Sequence, residues 1–147
     1  MKTLSNRRYL PDVNILLALS DRDHTGYIPA TTWFSECGHE AFLLCNITEA
    51  GFVRLMCSPH LYAVSMKVAT ELLRQIACSP NCSYLPMNRP WLELVAPFSS
   101  RLHGYKQVTD ALLLGLAIHN GATLVTLDRH IQAMAGEEFK DSVLTLA

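Results

Sequence analysis

Four carboxylates, Asp12, Glu49, Asp110 and Asp128, stand where an apolar core would ordinarily carry no charge. Asp12 separates "RYLP" from the apolar run "VNILLALS". Glu49 follows the continuous apolar stretch "AFLLC", Ala41 to Cys45, by four residues. Asp110 opens "TDALLLGLAIHNG", and Asp128 closes "ATLVTLD". Each has a purely local reading. Asp12 and Asp128 suit helix N-caps. Asn46 and Glu49 have the cap and N3 spacing of a capping box. Asp110 favours the positive end of a helix, with Thr109 as its cap. Taken jointly, these readings fall short. Carboxylates crowded on one edge repel and raise one another's pKa, which costs stability unless a cation sits among them. A few oxygen ligands suit Mg2+ or Mn2+. A cation so held suits phosphoryl chemistry, because it activates water and stabilises attacking and leaving oxygens.

Whether the four share an edge depends on the elements around them. "RYLPD" predicts a strand ending at Asp12, and "VNILLALS" a helix after it. "TTWFSECGHE" predicts a helix with Gly38 near its end, and "AFLLC" a buried strand. "NITEAGFVRLMCS" predicts a helix stopped by Pro59. In Ser65 to Cys78, the residues Val68, Leu72, Leu73 and Ile76 recur at helical spacing. A short strand is expected at Ser83 to Leu85 and a short helix after Pro90. "VTDALLLGLAIHNG" predicts a helix closed by Gly121, "ATLVTLD" a buried strand and "SVLTLA" a last strand. Strands that are continuously apolar and alternate with helices imply a parallel sheet covered on both faces, a three-layer α/β/α sandwich. In such sheets, sites form at the carboxyl ends of the strands. Strand ends and helix starts lie on that one edge, so all four carboxylates are expected there. Thr126, two residues before Asp128, shares its sheet face and is a candidate support for a carboxylate. Asn14, two residues after Asp12, is a candidate to hold Asp12 or a water. Pro11 removes a backbone donor, so the end of the first strand is expected to be locally unpaired or an edge.

The chain's 147 residues are enough for one domain with a sizeable core. With 12 Lys and Arg against 13 Asp and Glu the net charge is −1, so no global basic field points to nucleic acid and any such contact must use a local patch. Candidates for phosphate contact are Arg54, Arg129 and His130, with Arg22, Arg89, Arg101 and Lys106 on neighbouring loops. Trp33, Trp91 and Tyr105 are candidates to stack on unpaired bases, with core packing the competing use of both tryptophans. No apolar run approaches the ~20 residues of a membrane span. The start "MKTLSNRRYLP" has no apolar segment of the length export needs, and the five Cys are an odd number. A cytoplasmic protein with reduced thiols is expected. Cys78 and Cys82 could form half of a metal site with Cys37 and His39 as the other half, but the spacing is not that of a zinc ribbon or finger, and buried or idle thiols are expected.

Three stretches in this order resemble the PIN-domain ribonucleases, specifically the VapC-type toxins of prokaryotic toxin–antitoxin pairs. They are "LPDVNILLALSDRDH" at Leu10 to His24, "CNITEAGFVRLMCSP" at Cys45 to Pro59 and "HGYKQVTDALLLGLAIHNGATLVTLDRHI" at His103 to Ile131. The family's four acidic positions fall on Asp12, Glu49, Asp110 and Asp128. Where the family often has an aliphatic residue before the first of these, this chain has Pro11.

The resemblance implies a single PIN domain over 1–147 and a metal-dependent endoribonuclease that cleaves RNA phosphodiester bonds by activated water. Asp12 is the expected central ligand for Mg2+ (or Mn2+). Asp110 and Asp128 would ligate directly or through water, and Glu49 would ligate or orient the attacking water. The resemblance also implies an antitoxin partner with a segment laid into the acidic groove, a homodimer and products with a 5′ phosphate. The apolar stretch "VRLMCSPHLYAV" is a candidate dimer face. The alternative is a catalytically inactive PIN-fold module that binds RNA or protein. A haloacid-dehalogenase-type phosphatase would want a second Asp two positions after the first, where this chain has Asn14.

Overall fold

A computed structural model describes residues 7–147. Five short strands form one all-parallel sheet in the order β3-β2-β1-β4-β5. They are β1 (Tyr9–Pro11), β2 (Phe42–Leu44), β3 (Cys82–Tyr84), β4 (Thr123–Thr126) and β5 (Val143–Thr145). The described residues also form seven α-helices: α1 (Val13–Ser20), α2 (Tyr27–Glu36), α3 (Asn46–Cys57), α4 (Met66–Ala77), α5 (Trp91–Val95), α6 (Val108–His119) and α7 (His130–Ala135). No helix among the described residues is long and apolar enough to cross a membrane.

The period-two alternation of strand side chains divides the core between two faces. Leu10, Leu43 and Leu124 pack with Leu94, Leu113, Leu114 and Ile131, so α5, α6 and α7 cover one face. Tyr9 and Val125 pack with Ile15, Ala30 and Trp33. Leu44 packs with Leu16, Phe52, Met56 and Ala69, so α1 to α4 cover the other. This is the expected three-layer α/β/α sandwich. Burial on both faces is why β1, β2 and β4 read as unbroken apolar runs rather than alternating ones, whereas the edge strand β3 is largely exposed. Helix α6 is apolar nearly all round, burying Ala111, Leu113, Leu114, Gly115, Leu116 and Ala117. It can do so because α5 closes over it, where a Cβ on Gly115 would come within 2.6 Å of the Leu94 carbonyl oxygen.

Several boundaries differ from expectation. Helix α2 starts at Tyr27, four residues before Thr31. Pro29 lies in its first turn, where the missing N–H would have no intrahelical partner anyway. Strand β4 ends at Thr126 rather than at Asp128. Helix α7 begins at His130, after the cap position expected for Asp128. Gly121 sits one residue past the α6 C-cap Asn120 at φ +63°, a left-handed turn suited to glycine. Strand β1 is central, not an edge, yet its end is unpaired on one side. Tyr9 N–H donates toward β2, to Ala41 O at 3.0 Å, and Asp12 N–H donates toward β4, to Val125 O at 2.9 Å. The missing donor of Pro11 is therefore one that would have faced β2, and β1–β2 register extends only to Tyr9 and Phe42.

Candidate active site

Strands β1 and β4 are neighbours at the centre of the sheet, where the chain winds outward in both directions. Ligand sites of open parallel sheets form at this crevice. Asp12 extends β1 by one residue and caps α1, its Oδ1 accepting from Ile15 N–H at 3.0 Å. The cap reading and the site reading therefore both hold. Its second oxygen, Oδ2, accepts from the Thr126 hydroxyl at 2.6 Å, and that hydroxyl accepts from Asp128 N–H at 3.0 Å. Thr126 is fully buried and Asp12 is 6% exposed. One threonine thus fixes the Asp12 carboxylate and the backbone of Asp128 together.

Burial pushes the Asp12 carboxyl up to about 6. The hydrogen bonds from Thr126 and Ile15 work against that shift, and the charges of Asp110 and Asp128 add to it. The Asp110 carboxyl is also raised, by burial first and by Asp128 second. These mutual effects place Asp12, Asp110 and Asp128 close enough to feel one another's charge. Asp110 reaches the edge from the first turn of α6. Glu49 reaches it from the first turn of α3, directly after β2, and is half-buried. Its charge helps to raise the Cys82 thiol, after burial, so it leans toward the β3 side. The Asp128 Oδ1 accepts from the backbone N–H of His130 and lies at 2.9 Å from His130 Nδ1 as well. Among the described residues, no three His, Cys, Asp or Glu side chains are gathered closely enough to enclose a cation.

The local readings need correction in three places, the first being Asp128, which is not the N-cap of α7: that position is Arg129, which makes no side-chain cap bond. The α3 capping box is built by Cys45 and Thr48, not by Asn46 and Glu49. Thr48 Oγ1 accepts from Cys45 N–H at 3.1 Å, which leaves Glu49 one position further into the helix. The α6 N-cap is Gln107 rather than Thr109, because a turn of 3-10 helix at Tyr105–Gln107 leads into it. Asn14 is exposed and is not among the hydrogen-bond partners of Asp12. Lying second in α1, it faces solvent, and Thr126 does the holding instead.

Arg129 and His130 follow β4 at the acidic edge, and both are exposed. Arg54 does not join them. It lies in the last turn of α3, beside Ser58, Pro59 and Met66. A helix after a parallel strand runs back from the carboxyl edge and carries its last turn away from it. Arg101 is engaged elsewhere, donating to Met134 O at 2.8 Å and Ala135 O at 3.0 Å. Arg89 pairs with Glu93 at 2.6 Å. Trp33 is core. Trp91 is half-buried, its indole N–H donating to Val108 O at 3.3 Å. His24 accepts from Gly26 N–H at 2.9 Å in a local turn. The five cysteines are free thiols. A hollow of about 480 Å³ between α1, α2 and α4 carries none of the four carboxylates.

A family model described as PIN domain matches residues 9–137. Ribonuclease VapC44 of Mycobacterium tuberculosis (strain H37Rv) is 36% identical over 129 residues, covering 87% of this chain and 91% of that protein. Ribonuclease VapC38 of the same strain is 32% identical over 136 residues, covering 91% of this chain and 94% of that protein. The fold superposes on a chain in the crystal structure of VapBC2 from Rickettsia felis bound to a DNA fragment from their promoter. The TM-score is 0.65 at 12% identity, over 95% of this chain and 99% of that one, a likeness of fold alone. The parallel sheet with its acidic edge is that of a PIN domain, and the chain belongs to the PIN-domain family. Within that family it stands beside the VapC ribonucleases.

Proposed function

We propose that the whole chain, 1–147, is one PIN domain acting as a divalent-metal-dependent endoribonuclease, the toxin half of a toxin–antitoxin pair in the cytoplasm. The observation that carries this reading is Asp12. It is a nearly buried carboxylate held from two sides and pushed up to about 6 by burial, with Asp110 and Asp128 adding to the shift. A core gains nothing from such a group, whereas a cation beside it would offset both the burial and the repulsion. The names of the relatives, ribonucleases at 36% and 32% identity, support the reaction class.

The donor set is all oxygen, which fits Mg2+ or Mn2+ better than a softer metal. Asp12 would be its central ligand, with Asp110 and Asp128 holding it directly or through water and Glu49 closing the β3 side. When bound, the cation supplies Lewis acidity to the attacking water and to the leaving 3′ oxygen. The protein's part is to orient. Thr126 fixes the face that Asp12 presents. Asp128 is held from its backbone by Thr126 and from its carboxylate by His130, which must release an oxygen lone pair toward the cation. Arg129 and His130 stand at the same edge to meet phosphate. RNA is the substrate, with an antitoxin segment covering the acidic groove when activity is restrained. Homodimerisation through the α3–α4 connection, where Leu61 and Met66 are exposed, completes the proposal.

The second reading is the inactive binding module; among the described residues no three His, Cys, Asp or Glu side chains are gathered closely enough to enclose a cation. Incubating a mixed structured RNA with Mg2+ or Mn2+ separates the two readings. Cleavage by the wild type, abolished by EDTA and by Asp12→Asn, is expected for the nuclease. A folded wild type that neither cleaves RNA nor binds Mn2+ would establish the module instead.

A further inference from the structure

The acidic edge accounts for bond cleavage but not for how a strand of RNA is held beside it. The tyrosines differ sharply in what they do. Tyr9 is 2% exposed. The hydroxyl of Tyr62 donates to Asp21 Oδ2 at 2.8 Å, and that of Tyr84 donates to Asn46 Oδ1. Tyr105 is 83% exposed, the most exposed of the large apolar side chains among the described residues. It stands on the 3-10 turn Tyr105–Gln107, which runs without a break into α6.

That turn is fixed rather than loose. Gln107 N–H donates to Gly104 O at 3.1 Å, and Gln107 Oε1 accepts from His103 N–H at 2.6 Å. Gly104 has open space around it. Asp110 follows five residues later, about 9 Å along the helical path from the rises of 3-10 and α-helix. Lys106, on the same turn, is exposed and takes part in none of the ion pairs among the described residues. A rigid turn thus presents an aromatic ring and a cation beside a carboxylate of the site. Neither gains anything from the fold, and both match the two faces of a nucleotide. An aromatic ring can meet a base only where that base is unstacked from its neighbours. A lysine supplies a point charge to phosphate.

We propose that Tyr105 is a stacking platform for an unpaired nucleobase next to the cleaved bond, with Lys106 on the adjoining phosphate. This inference rests on the ribonuclease reading.

The test uses the full chain carrying Asp110→Asn, so that Mg2+ is present without cleavage. Affinity is measured for a fluorescein-labelled ten-nucleotide single-stranded RNA and for the same sequence as a blunt duplex, with sedimentation of each protein. Tyr105→Ala should weaken single-strand binding by about 5- to 150-fold, and Tyr105→Phe should restore it to within about twofold. Duplex binding should be weaker and indifferent to either change. Equal single-strand affinity for Tyr105→Ala and its parent overturns the proposal, as does duplex bound as tightly as single strand. Loss of both RNAs together with a dimer-to-monomer change would assign Tyr105, with exposed Leu92 and Val108, to a contact between copies instead. A parent that binds no RNA at all would fell the ribonuclease reading itself.

Discussion

Replacing Asp12 with Asn should abolish cleavage and, in the metal-free protein, raise stability. The carboxyl stands at about 6 in the fold against 3.8 when free in water. That gap corresponds to about 3 kcal/mol of extra cost for holding Asp12 ionised in the folded state. Below about pH 4 the group is protonated in both folded and unfolded chains, and the cost is absent. Between about pH 4 and 6 the folded chain keeps a proton that the unfolded chain has released, so stability falls as pH rises. Above about pH 6 the full cost is present. Asn never ionises and caps a helix as well as Asp does. Its amide oxygen cannot accept from both Ile15 N–H and the Thr126 hydroxyl, which returns about 1 kcal/mol. Urea unfolding in EDTA should therefore find Asp12→Asn about 2 kcal/mol more stable than wild type at pH 8, with the advantage gone by pH 4. Adding Mg2+ should stabilise the wild type and leave the variant unchanged. A variant no more stable than wild type at pH 8, or an advantage that does not change with pH, would refute the electrostatic reasoning about this site.

Other substitutions probe the support of the site. Thr126→Val removes a donor from Asp12 and an acceptor from Asp128 N–H. It should cost about 1–3 kcal/mol in urea unfolding and at least tenfold in cleavage rate, with Thr126→Ser recovering both. Gly115→Ala drives a methyl against the Leu94 carbonyl. It should lower stability by about 1–3 kcal/mol, read by thermal unfolding, because backbone cannot step aside as a side chain can. Arg101→Met removes two hydrogen bonds from the C-terminal carbonyls of α7. Amide exchange should then quicken across His130 to Ala135 more than across α6.

The fold was legible because its three central strands, β1, β2 and β4, are buried on both faces. "AFLLC" and "ATLV" could only be interior strands, and the apolar helices between them forced a parallel sheet. The site was legible for a related reason. In so apolar a frame, Asp12 and Asp128 at strand ends and Asp110 at a helix start stand out. Thr126 was found because a strand repeats every two residues, which put its hydroxyl on the face of Asp128. What stayed hidden depended on details that spacing does not carry. Cys45 is no ordinary cap, and it caps α3 only because Thr48 completes the box. The 3-10 turn before α6 shifted the cap from Thr109 to Gln107. Asn14 sits at the right distance in sequence but second in a helix, where it turns outward. Arg54 looked near Glu49 in sequence, yet the helix carries it away from the edge. Helix α7 is six residues long, too short for periodicity to register.

The central claim is that Asp12, Asp110 and Asp128 act together to cut RNA with a divalent cation. Its most direct test is cleavage of one structured RNA by wild type and by folded Asp110→Asn, each with Mg2+ and with EDTA. Cleavage by the wild type with Mg2+ alone, and none by Asp110→Asn in either condition, is the predicted result. Full Mg2+-dependent cleavage by Asp110→Asn would contradict the account.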